Sequence, residues 1–254
     1  PDAWLAATSP DPLLTAVRQF EALPIQRRMR LVACAFARQA WDLLTTDARS
    51  AVQASERFAD GRGTRADILA SGLRVPVNPR TAVQFAVRAA AWASTGCTHT
   101  PVWPRPDIEE TAPPMTEPSP VDAALNAAKA LATAAHQASG RTDRERRSAA
   151  WRAAIGAARR AQADFVRDIF PPPGYTPAVR PDWLTPTVVA LAREMDASGD
   201  FSAVPILADA LQDAGCDDDL LLRHCRAPVP EGRGGAPCNP HVRGNWVVDV
   251  VLGR

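Results

Sequence analysis

Apolar residues recur at intervals of three and four over almost the whole chain, and that period restricts it to helices. In IQRRMRLVACAFARQAWDLL, residues 25–44, the positions Ile25, Met29, Val32, Phe36, Ala40 and Leu43 keep the spacing while Arg27, Arg28, Arg38 and Asp42 fall elsewhere. One amphipathic helix is predicted, with Cys34 inside it. TDARSAVQASERFADG then starts at a Thr46 cap and stops at Gly61, and TRADILASG pairs a Thr64 cap with Asp67 and ends at Gly72. Val83, Val87 and Ala90–Ala91 mark a further helix up to about Ser94.

Between Gly96 and Pro120 seven of 25 residues are proline. Proline has no amide donor and restricts the residue before it, so this stretch is read as an irregular loop or linker. Beyond it an Ala-rich helix is predicted from Val121 to Ser139, and a longer one from Asp143 to Phe170 with a buried stripe of Trp151, Ile155, Ala158, Phe165 and Ile169. PPPGYTP ends that helix. In DWLTPTVVALAREMDASGD, Thr185 is a cap, Pro186 the first helical residue and Gly199 the stop; Ser202, Pro205 and Gly215 repeat the arrangement. Gly215 separates this helix from one capped by Asp217, with Asp218 and Asp219 in the first turn, where carboxylates suit the positive end of the helix dipole. The final NWVVDVVLG is rich in β-branched residues, yet Trp246, Val247, Val250 and Val251 fit one helical face with Asp249 off it, and the absence of an evident partner strand decides for helix.

The fold class expected is therefore all-α: a multi-helix bundle with long Ala/Arg-rich helices and a proline-rich loop. Its regions are 1–95 (helical), 96–120 (loop or linker), 121–170 (an Ala/Arg-rich helical pair) and 182–254 (helical), with the two end regions packing as one core. A chain of 254 residues with 46% hydrophobic side chains can bury such a core. Five cysteines at irregular spacing argue against a disulfide framework and for a reducing cytoplasm. No apolar run approaches the roughly 18 residues of a membrane span, and PDAWLAATSP lacks the parts of a signal peptide, so no membrane partner is expected.

The net charge is +1, but it is unevenly spread: eight Arg stand against three acids from Arg141 to Arg167, and eight acids against no base from Glu194 to Asp219. Arg144, Arg147, Arg152, Arg159, Arg160 and Arg167 form the candidate nucleic-acid surface; the competing account is a solvated helix face whose arginines pair with nearby acids. A helix-turn-helix reading of ILADALQDAGCDDDLLLRHC fails on charge, because its second helix opens with three aspartates that would repel phosphate.

Thiolate and imidazole are the ligands zinc prefers, so Cys216, His224, Cys225, Cys238 and His241 form the candidate metal set. The spacing weakens it, since His224 and Cys225 diverge by about 100° on a helix and no paired C-x-x-C knuckle is present. Cys97 and His99 in the proline-rich stretch lack a visible partner, and His136 is read as a partly buried helix residue. Phosphate-loop, dinucleotide and nucleophile-elbow motifs do not occur in the sequence.

The segments RLVACAFARQAWDLLTTDARSAVQASERFADG, WLTPTVVALAR, ILADALQDAGCDDDLLLRHCR and HVRGNWVVDVVLG, about three-tenths of the chain, resemble a paralogous family of uncharacterised bacterial proteins of planctomycete type. The resemblance implies no activity, cofactor or catalytic residue. It does expose two departures: residues 231–239 lengthen the loop before His241, and Asn245 stands where the family has cysteine in HVRGCW. A ligand or nucleophile at that place would be missing here unless Cys238 substitutes. The functional expectation is a non-catalytic helical interaction module or accessory subunit with a protein partner and no cofactor. The alternatives are a nucleic-acid accessory protein using the Arg141–Arg167 helix, and a metal- or thiol-dependent enzyme around His224, Cys225 and His241, with zinc as its cofactor.

Overall fold

A computed structural model describes residues 2–17, 25–75, 79–94, 120–138, 144–227 and 241–254. Among them the fold is all-α. In chain order the helices are α1 (Asp2–Ala6), α2 (Pro10–Val17), α3 (Ile25–Arg38), α4 (Thr46–Ala59), α5 (Arg65–Leu69), α6 (Ala82–Ser94), α7 (Pro120–Ala138), α8 (Arg144–Ile169), α9 (Pro186–Ser198), α10 (Val204–Asp213), α11 (Asp219–Cys225) and α12 (Trp246–Val251), with short 3-10 turns at Trp41–Leu43 and Pro181–Trp183. The proline-rich residues 96–119 lie outside the described residues. The chain divides into two compact units, 7–163 and 1–6 with 164–254, and the division falls within α8. The N-terminal helices α3–α6 thus group with α7, where the sequence reading had paired region 1–95 with region 182–254.

In the 7–163 unit α3 is central. Every residue from Leu31 to Ala37 is buried, and so is Arg28, so the C-terminal half of this amphipathic helix is enclosed on every side, while Gln26 and Arg38 stay exposed. It ends at Arg38, and a separate 3-10 turn covers Trp41–Leu43, which corrects the single helix expected to Leu44. Thr45, not Thr46, caps α4 by accepting from Ala48 N–H. Small side chains set the packing: Ala86, Ala89, Ala90 and Ala93 of α6 and Ala123, Ala124, Ala127 and Ala128 of α7 are all buried, and alanine surfaces allow helix axes to approach closely. Polar contacts fix the register. Arg38 makes a bidentate pair with Glu56 at 2.5 and 2.7 Å, Ser55 Oγ donates to Ala93 C=O at 2.9 Å, and Gln162 Nε2 donates to Gln39 Oε1 and to Ala124 C=O, both at 2.9 Å.

The 164–254 unit is built from short helices, most of them capped by a side chain. Thr185 caps α9 with Pro186 behind it, and Gly199 closes it in a left-handed conformation at φ 75°. Ala203 precedes α10 without a side-chain cap, so the expected role of Ser202 does not hold. Asp218, rather than Asp217, caps α11, accepting from Leu220 and Leu221 N–H. The last segment is a helix as expected, but Asp249 is buried at 2% exposure with its apolar neighbours. Met195, Val204, Leu207, Leu211, Leu221 and Trp246 lie at the centre of this core. Arg167 donates to the carbonyls of Trp4 and Leu5 at 2.9–3.1 Å, which secures the end of α1 on the same unit. No helix among the described residues is long and apolar enough to cross a membrane.

Candidate functional site

Three helix boundaries deliver the site. The α8 helix must end before Pro171, because a residue preceding proline is driven out of the helical region, and this leaves Asp168 in its last turn. The Asp218 cap starts α11 so that His224 falls in that helix's last turn. Before α12 the chain turns at Gly244, whose φ of 92° favours glycine, and Asn245 N–H closes the turn on Val242 C=O at 3.0 Å. His241 and Asn245 flank that turn.

These residues converge on one carboxylate oxygen. His241 Nδ1 lies 2.7 Å, Asn245 Nδ2 2.6 Å and His224 Nε2 3.2 Å from Asp168 Oδ1. The second oxygen, Asp168 Oδ2, accepts Val242 N–H at 2.7 Å. The amide of Asn245 is oriented by its other end, because Oδ1 accepts Val247 and Val248 N–H at 3.1 Å and thereby caps α12. Side-chain exposure is 4% at Asp168, 2% at His241 and 15% at His224, so only His224 has an edge near solvent. Trp246 packs against His224, their ring centroids 4.8 Å apart, and Tyr175 stands edge-on to Trp246 at 5.6 Å.

Burial alone would raise the pKa of Asp168. The hydrogen bonds and charge of His224 and His241 outweigh it and hold the carboxyl down at about 2. The site therefore contains a carboxylate, fixed in place by nitrogen donors at a helix C-terminus, the end at which the dipole would otherwise disfavour it.

Of the candidate metal set, the structure brings His224 and His241 together and adds Asp168. The ligand atoms of these three lie within 4.8 Å of one another, and neither Cys216 nor Cys225 belongs to the group. Both are buried free thiols; burial first, and then the charge of Asp168, pushes the Cys225 thiol up, which keeps it protonated and unsuited to nucleophilic attack. Tyr175 is held protonated in the same way, by burial and by donating to Asp218 Oδ2 at 2.7 Å. Cys238, Cys97 and His99 lie outside the described residues. His136 is half-buried on α7.

Composition and spacing had passed over Asp168 and Asn245. A signal for each was present. An aspartate in the last turn of a long helix opposes the dipole and calls for a compensating partner, and an asparagine immediately before an apolar run is a helix N-cap.

The arginine surface is reduced by commitments. Arg159 pairs with Asp11, Arg167 holds the α1 carbonyls and Asp164, and Trp151, expected in the buried stripe of α8, is 37% exposed. Arg152 and Arg160 are exposed, and Arg144 and Arg147 lie in the first turn of α8. No family model, curated protein or solved structure matches the chain.

Proposed function

We propose that the chain is a non-catalytic helical module that acts by binding a protein partner, and that Asp168, His224, His241 and Asn245 form the internal lock of its 164–254 unit. The observation that carries the reading is the direction of these side chains. Asp168, His241 and Asn245 are buried and face one another and the start of α12, tying two segments that are distant in sequence. A catalytic group has to meet a substrate; this cluster faces inward. The protein partner is proposed for the large aliphatic side chains that the same unit leaves in water, Ile206 at 57%, Leu184 at 38% and Leu220 at 37% exposure, which would mark an interaction site where they adjoin one another. A polyanion finds less: Arg159 and Arg167, half of the candidate arginines whose side chains are described, already hold Asp11 and the α1 carbonyls.

The two kinds of site respond oppositely to substitution. Catalytic groups are held at a cost to stability, so removing one usually leaves the fold as stable or more so. A lock behaves the other way. Asp168→Asn is expected to lower unfolding stability at neutral pH by about 2–3 kcal/mol, the difference between charge-assisted and neutral hydrogen bonds at a buried carboxylate. Urea denaturation checks this, and an unchanged or increased midpoint would return the cluster to the catalytic reading.

A further inference from the structure

We propose that the Asp168–His224–His241 cluster is a binding site for one divalent transition-metal ion of the zinc class, ligated by Asp168 Oδ1, His224 Nε2 and His241 Nδ1. The inference deepens the lock reading and rests on it: the ion would be what the lock closes around.

The argument is a proton count. Asn245 Nδ2 lies 3.1 Å from His224 Nε2 and 3.2 Å from His241 Nδ1 as well as 2.6 Å from Asp168 Oδ1. Its orientation is fixed, because Asn245 Oδ1 is committed to the α12 backbone. The amide has two hydrogens. With one on Asp168, a single hydrogen remains for two ring nitrogens. A ring nitrogen that accepts it has no proton there, so its lone pair also faces the carboxylate oxygen at 2.7 or 3.2 Å. A ring nitrogen that is protonated points its hydrogen at that same oxygen and offers the amide nothing. The contacts among these four atoms therefore cannot all be hydrogen bonds at once.

Without an ion both rings can satisfy Asp168 Oδ1 only by donating to it; with an ion both nitrogens turn their lone pairs to the metal beside the carboxylate oxygen. Two imidazole lone pairs and a carboxylate oxygen, their ligand atoms within 4.8 Å of one another, are an N2O donor set suited to zinc and its neighbours. The surroundings have the form of a metal site's outer contacts. Val242 N–H holds Asp168 Oδ2 at 2.7 Å and the Asn245 amide donates to Oδ1, so the carboxylate is oriented by groups that are not themselves ligands. The ligands come from the end of α8, from α11 and from the turn before α12, and one ion would cross-link all three. Such cross-linking makes metal binding free energy a part of folding free energy.

The full-length chain, purified without chelator, is to be assayed by elemental mass spectrometry, then stripped, dialysed and titrated with zinc by calorimetry while thermal unfolding is followed by circular dichroism. The expected result is about one zinc per chain and an unfolding midpoint that rises with free zinc, as linkage requires. His224→Gln, at the most exposed of the three ligands, is expected to keep its helical spectrum and to lose both effects. A folded chain that takes up no zinc, or a His224→Gln variant that binds it as the parent does, overturns the metal site. The two readings separate in the stripped protein. If Asp168→Asn still lowers its midpoint while zinc does not bind, the metal fails and the lock stands; if Asp168→Asn leaves the stripped midpoint unchanged, the lock itself fails.

Discussion

Asn245 serves two ends of one amide: its oxygen caps α12 and its nitrogen meets Asp168. Alanine there removes both, so Asn245→Ala is expected to cost about 1 kcal/mol for the cap and about 2 kcal/mol for a hydrogen bond to a charged group, seen as a lower urea midpoint. Serine at that position keeps the cap and is expected to recover only the first part. Cys34 shows the opposite kind of burial, apolar and weakly bonded, with its sulfur 4.0 Å from the carbonyls of Val52 and Ala93. Burial, reinforced by the charge of Glu56, pushes its thiol from 9.0 up to about 12. The unfolded chain loses this proton near pH 9 and the folded chain does not, so the thiol's contribution to stability is complete below pH 9 and is lost as pH rises through 12. The stability difference between the parent and Cys34→Ala should accordingly shrink over that window in denaturant titrations, and Cys34 should resist alkylation until the chain unfolds.

Helix ends decide more than helix interiors in this protein. The α11 helix has seven residues, too few to persist without its cap and its packing. Asp218 supplies the cap and also accepts the Tyr175 hydroxyl at 2.7 Å, whereas Asp217 is exposed at the preceding turn. Asp218→Ala is expected to destabilise by about 1 kcal/mol and Asp217→Ala to leave the thermal midpoint within error; equal effects would contradict the cap assignment. Such detail is only partly legible in sequence. The Thr64–Asp67 capping box and the Thr185–Pro186 start were read correctly because each is a local hydrogen-bonding pattern. Thr45 against Thr46, and Asp218 against Asp217, were displaced by one residue, because adjacent residues of the same type offer the same cap and the tertiary path of the chain chooses between them.

At the scale of the molecule, two compact units are carried on one chain with their boundary inside α8. Each has its own buried polar anchor, Glu56 with Arg38 in one and Asp168 with its nitrogens in the other. Calorimetry is expected to show two overlapping transitions, with Glu56→Gln lowering one and Asp168→Asn the other; a single two-state transition lowered equally by both would show that the shared helix couples the units fully. The amino-acid sequence by itself determined the all-α class, most helix limits and the presence of His224 and His241 in the C-terminal region, since periodicity, caps and breakers act within a few residues. Only the tertiary structure decided that the second half of α3 is enclosed on every side, that Arg167 secures α1, and that Asp168 joins the two histidines. Asp168 lies 56 residues from His224 and 73 from His241, and side chains that far apart meet only through the packing of the helices between them, which no local pattern records.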